Sequence, residues 1–162
     1  MNNFPAERNG FEKAKFDLLK ATLIASDADI IGMSEVGRNE YNMELENRQT
    51  TKMKEWFGNG IATATWNHDS IASYEPGGSM IITRDKSTAH TIKRGTDERR
   101  LGRWTWISVK GKRDKCTTFI FVYRPTHIQA TALNQLNTIR KFNGSIQPEE
   151  LWEKDLSNLI ND

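Results

Sequence analysis

Along the chain, hydrophobic positions switch between two periods, and the switches mark the elements. Over residues 11–25, Phe11, Ala14, Leu18, Ala21 or Thr22, and Ala25 recur at steps of three and four, with Lys13, Lys15, Asp17 and Lys20 between them. That spacing predicts an amphipathic helix. Ser26-Asp27 ends it, and Ala28-Asp-Ile-Ile-Gly-Met-Ser-Glu35 follows at once as a buried strand. Gly32 leaves room there for a close neighbour, and Glu35 stands where the apolar run stops. Residues 37–49 are polar and read as a loop reaching over one end of a sheet. Residues 50–57 predict a short helix with Met53 and Trp56 inward, residues 61–66 a strand, and residues 67–78 a loop ending in Pro76-Gly77-Gly78.

The pattern then turns to strands. Residues 79–83 and 89–93 are expected to be neighbouring strands. Residues 104–110 and 117–123 flank the turn Lys110-Gly-Lys-Arg-Asp114, a strong hairpin signal. Both faces of Thr117-Thr-Phe-Ile-Phe-Val-Tyr123 are apolar, which predicts a strand covered on both sides. Leu133, Leu136 and Ile139 predict a helix over 130–142. Pro148 opens a last helix with Leu151, Trp152, Leu156, Leu159 and Ile160 as its stripe. Helix feeding into strand, then a run of strands, then helices indicates an α/β (α+β) chain of two sheets with helices outside.

Composition narrows this picture modestly. The 162 residues are 36% hydrophobic and 27% charged, which fits one domain spanning 1–162 with a real core. No segment resembles a signal peptide or a membrane span, so the expected compartment is intracellular, cytoplasmic or nuclear. The single cysteine, Cys116, excludes a disulfide framework and is expected to be a buried structural residue. Net charge is only +2, yet Lys93, Arg94, Arg99, Arg100, Arg103, Lys110, Lys112, Arg113 and Lys115 crowd one window with three acids. That window could meet phosphates, or form a solvated hairpin rim.

Chemistry has few places to sit. Glu35, at the end of a buried strand, is placed to hold a divalent cation, or simply to mark where the strand reaches water. After the second apolar strand comes Val122-Tyr-Arg-Pro125, where Pro125 stops the ladder. Tyr123 could donate to a phosphate oxygen and Arg124 could add a bidentate contact; both could equally be ordinary surface residues. Arg103 and His127 join Arg124 as candidate substrate contacts. Leu101-Gly-Arg-Trp-Thr-Trp106 reads as packing more than as a base-stacking platform, and Gly77-Gly78 as a tight turn or a close backbone approach. His68, His90 and His127 have no metal-ligand spacing, and no phosphate-binding glycine loop or Gly-x-Ser-x-Gly elbow occurs.

Taken in order, Asp29-Ile-Ile-Gly-Met-Ser-Glu35, Gly-Gly-Ser-Met-Ile-Ile82 and the basic hairpin ending in Val122-Tyr-Arg-Pro125 resemble the endonuclease/exonuclease/phosphatase (DNase I-like) superfamily. Leu101-Gly-Arg-Trp-Thr-Trp106 with Val122-Tyr-Arg-Pro125 resembles its retroelement-encoded endonucleases. The resemblance implies a four-layer α/β sandwich that cleaves phosphodiesters, here DNA, with Mg2+ or Mn2+. It makes Glu35 the metal-binding glutamate and Tyr123 the tyrosine that contacts the scissile phosphate.

The chain is expected to start inside or just after the family's opening strand, with Asn2 and Asn3 near its asparagine but not assigned to it, and to lack the later Gly-Asp-x-Asn and Asp-His pair. The expectation is therefore a partial domain, incomplete at the C-terminus and weakly active or inactive alone. A non-catalytic nucleic-acid- or protein-binding remnant using residues 93–115 is the alternative. A half-domain too incomplete to fold is a third.

Overall fold

The computed structural model describes residues 10–37, 40, 43–58, 60–66, 77–124 and 147–161. Its elements in chain order are α1 (Gly10–Ala25), β1 (Ile30–Ser34), α2 (Gln49–Trp56), β2 (Ile61–Thr65), β3 (Ser79–Thr83), α3 (Asp85–His90), β4 (Thr91–Thr96), β5 (Trp104–Lys110), β6 (Cys116–Val122) and α4 (Pro148–Asn161). The strands form two antiparallel sheets, ordered β1-β3-β2 and β4-β5-β6. Among the described residues no helix is long and apolar enough to cross a membrane.

Alternation along β3 assigns the layers. Met80 and Ile82 are fully buried with Phe16, Leu19 and Leu23 of α1 and Met53 of α2, so one face of the first sheet carries the helices. Ile81 points the other way, and its partner across the ladder is Gly32. There the sheets meet: a Cβ on Gly32 would collide with the ring of Phe121 on β6. β1 lies over β6, β3 over β5 and β2 over β4. On the far side of the second sheet α4 packs Trp152 edge-on to Trp104, ring centroids 6.4 Å apart, and Leu151 against Leu101. The described architecture is thus helix, sheet, sheet, helix, as expected for an α+β sandwich.

Several local expectations need correction. The first helix forms where expected, but its buried stripe is Phe16, Leu19 and Leu23, while Leu18 is 68% exposed. Two interleaved apolar stripes exist, and the larger side chains took the core. Residues 89–93 are not one strand, because α3 runs through His90 before β4 begins. β6 is not covered on both sides; among the described strands it lies at an edge, and its first three residues, Cys116 included, are exposed. Only its second half, where Phe121 meets β1, reaches the interior. The helix expected at 130–142 and His68 and His127 lie outside the described residues.

α3 also fixes strand direction. Six residues of helix span about 9 Å, close to the ~10 Å between packed sheets and much less than a strand's length. β4 therefore starts at the end of the sandwich where β3 finishes. With both sheets antiparallel throughout, β1, β2, β4 and β6 all run the same way.

The contact between Gly32 and Phe121 sets how closely the sheets approach at this edge. Gly32→Ala should destabilise the protein by about 1–3 kcal/mol through overpacking. In urea denaturation, Gly32→Ala combined with Phe121→Leu should recover part of that loss, whereas simple additivity would show that the ring is not the obstacle.

Candidate functional site

Because β1 and β6 are co-directional, Glu35 and Tyr123 leave the same end of the sandwich on stacked strands. The start of β3, Gly77-Gly78, and the start of β5, Arg103, close that end from below. The opposite end carries the β5–β6 turn with Lys112, Arg113 and Lys115. The basic window of residues 93–115 is accordingly split between two ends of the molecule.

Glu35 is held by a local irregularity. Its N–H donates to the Gly78 carbonyl at 2.9 Å, and the Gly37 N–H donates to the Gly77 carbonyl at 2.9 Å. Two residues advance on one side for one on the other, which is a bulge. Glu35 takes up the distortion with φ 56°, a left-handed conformation that costs a non-glycine residue about 1–2 kcal/mol. Val36, just after it, is 1% exposed and packs onto Gly78. Gly78 has φ 84°, and a Cβ there would sit 2.8 Å from both the Thr65 carbonyl oxygen and Val36 Cγ2. The glycine pair therefore serves close backbone approach, which lets the bulge present Glu35.

Tyr123 is more enclosed than a strand-end tyrosine with a free tip: it is 7% exposed, and its N–H donates to the Arg103 carbonyl at 2.6 Å. Arg124 is exposed, lies 5.2 Å from the centroid of the Trp152 ring and faces Glu153 Oε1 at 3.5 Å. Arg103 turns inward instead of towards a ligand. It is 1% exposed, and its Nε and Nη2 donate to the two oxygens of Asp97, each at 2.7 Å, with Nη2 also 2.9 Å from Asp155 Oδ2. Its planar group is also 4.2 Å from the centroid of the Trp104 ring.

Asp97 and Asp155 were not singled out from sequence. Asp97 is buried and also accepts from the backbone N–H groups of Arg99, Leu101 and Arg103, so one carboxylate shapes the whole β4–β5 turn. Asp155 ties α4 to it through Arg103 and through Arg99, whose Nε lies 2.6 Å away. The hydrogen bond to Asp155 pushes the Arg99 guanidinium further above its usual range, against the effect of partial burial. A legible signal existed: Asp155 interrupts the apolar stripe of α4 between Trp152 and Leu156.

The donor set for a metal ion is thin. Glu35 offers one half-buried carboxylate, while Asp97 is consumed by its own donors. Among the described residues no group of three His, Cys, Asp or Glu side chains could hold a metal ion. These residues alone do not make a magnesium site, which needs octahedral oxygen donors and commonly one or two carboxylates with further ligands.

No family model and no curated protein matches the chain. Among solved structures it is similar to an endonuclease/exonuclease/phosphatase family protein from Leptotrichia buccalis C-1013-b. Identity is 16% and the TM-score 0.49, over 90% of this chain and 62% of that one. The chain thus spans less than two thirds of that protein's length, and at this likeness neither activity nor substrate transfers.

The buried triad and the surface pair should separate in a denaturation series. Asp97→Ala should cost about 3–5 kcal/mol, because it leaves Arg103 buried without its main partner. Truncating the more exposed Arg99 should cost about 1 kcal/mol or less. Equal losses in urea would contradict the assignment of Asp97 as the organising group.

Proposed function

We propose that the Glu35–Tyr123 end of the sandwich binds a phosphodiester of DNA, in a domain of the endonuclease/exonuclease/phosphatase type with a retroelement-like signature. The observation that carries this reading is Glu35 itself: an acid in a costly left-handed conformation, held out by a bulge, on the strand stacked beside the one that ends in Tyr123. Strained backbone and bulges concentrate at functional sites, and here the strain serves no packing need of the Glu35 side chain, which is only half-buried.

In this reading Tyr123 orients a phosphate by a hydrogen bond, and Arg124 offers a charge from the same strand end. Glu35 would supply one carboxylate of a Mg2+ or Mn2+ site completed by ligands beyond the described residues, and an ion held there would serve as a Lewis acid for the phosphate. No hydrolytic step is assigned to the ion, since a single carboxylate is a weak site for it. Binding of the phosphodiester is accordingly the stronger expectation, with slow cleavage.

Incubation with supercoiled plasmid and Mg2+ should give slow nicking. Glu35→Ala should abolish it, and Tyr123→Phe should slow it about tenfold, the value of one charge-assisted hydrogen bond. Equal nicking by Glu35→Ala and the parent would remove Glu35 from the mechanism. No nicking with either Mg2+ or Mn2+ would sink the hydrolytic part.

A further inference from the structure

The opposite edge of the sandwich carries a second feature. Between α2 and the β2/β4 edge runs a groove of about 320 Å³, open to solvent, whose charged and polar walls are Arg48, Lys54, Arg94, Glu40 and Thr50, with Trp66 at one end. The cations come from three separate places: Arg48 from the residue capping α2, Lys54 from within α2, and Arg94 from β4 in the other sheet. Arg94 pairs across the ladder with fully buried Ile107, so its side chain springs from the inner face of an edge strand towards β2.

The charges here are not matched. Arg84, Arg99, Arg103 and Arg124 each face a carboxylate. Arg48, Lys54 and Arg94 have no such partner among the described residues, where Arg48 donates through Nε to the Met43 carbonyl at 3.3 Å. Glu40, the acid in the wall among the described residues, is 3% exposed and held by Thr50. Its two oxygens accept from the Thr50 N–H at 2.8 Å and the Thr50 hydroxyl at 2.6 Å. Its donors are neutral, so Glu40 keeps its charge, and one carboxylate against three cations leaves the groove walls positive.

From this we infer that the groove is an anion site that takes a phosphate group. Three flexible cations on walls from two layers can surround a tetrahedral oxyanion, and Glu40, held by Thr50 on the α2 wall, is outnumbered by them. Phosphate chemistry has two sources here, a free phosphate or the backbone of a nucleic-acid strand. The groove lies on the β2/β4 edge, two strands across from the β1/β6 edge that bears Glu35 and Tyr123, or about 10 Å at strand spacing. A strand passing over that end could therefore engage both places. The site stands without Glu35 and goes beyond the function proposed above.

Two probes distinguish the sources: inorganic phosphate and a single-stranded oligodeoxynucleotide, each titrated by calorimetry against the whole chain without metal. Both should bind, the oligonucleotide more tightly and with affinity falling as salt rises. Arg94→Glu should weaken both about tenfold or more, Lys54→Ala should weaken both less, and Arg94→Lys should restore most of the binding. Arg94 is an exposed edge residue, and unchanged thermal melts will show that its variants fold. Loss of nicking in Glu35→Ala while phosphate binding keeps its dependence on Arg94 speaks only to the other end. Phosphate binding without oligonucleotide binding would overturn the nucleic-acid source. Indifference of both probes to Arg94→Glu and Lys54→Ala would overturn the site.

Discussion

The buried pair of Arg103 and Asp97 is the interaction on which the candidate site depends. Both side chains are removed from water, at 1% and 0% exposure, which is costly for two charges unless their donors and acceptors are well matched. Asp97 meets that condition with two guanidinium contacts and three backbone N–H groups. The consequences reach beyond the pair. Asp97 folds the β4–β5 turn, Arg103 receives the Tyr123 N–H on its carbonyl, and Asp155 brings α4 onto the same guanidinium. One cation thus holds two strands, a turn and a helix at the end where chemistry is proposed.

A second constraint acts on the other sheet. Close approach is permitted at Gly32, where Phe121 occupies the space of a side chain, and at Gly78, where Val36 and the Thr65 carbonyl do. The first contact brings β1 and β6 together; the second allows the bulge that turns Glu35 out. Packing and presentation are linked in this way: Gly32 lets the sheets approach and stacks the Glu35 and Tyr123 strands, and Gly78 admits the bulge within the first sheet. Glu35 bears the backbone strain that the bulge leaves behind.

Much of this was legible in the sequence, for identifiable reasons. The β5–β6 hairpin was plain because its turn residues separate two seven-residue runs, and Gly32 was correctly read as leaving room for a neighbour. Helix α1 was found but its face was not, since Leu18 and Leu19 belong to two stripes of equal period. Cys116 and the start of β6 look interior in the sequence, because composition does not reveal that a strand lies at an edge. Arg103 was read as a ligand contact because a cation in a basic window looks like one. Its partners lie 6 and 52 residues away, and no local pattern pairs them.

The proposed function joins two parts: Glu35 and Tyr123 share one end of the sandwich, and a cation at that end would meet Glu35. Paramagnetic broadening by Mn2+ in amide NMR spectra tests both parts together. Sub-stoichiometric Mn2+ should broaden the amides of Glu35, Gly78 and Tyr123 first and leave those of Lys112 to Lys115 at the far turn sharp, and in Glu35→Ala that selective broadening should disappear. Broadening that begins at the far turn, or that survives unchanged in Glu35→Ala, would contradict it.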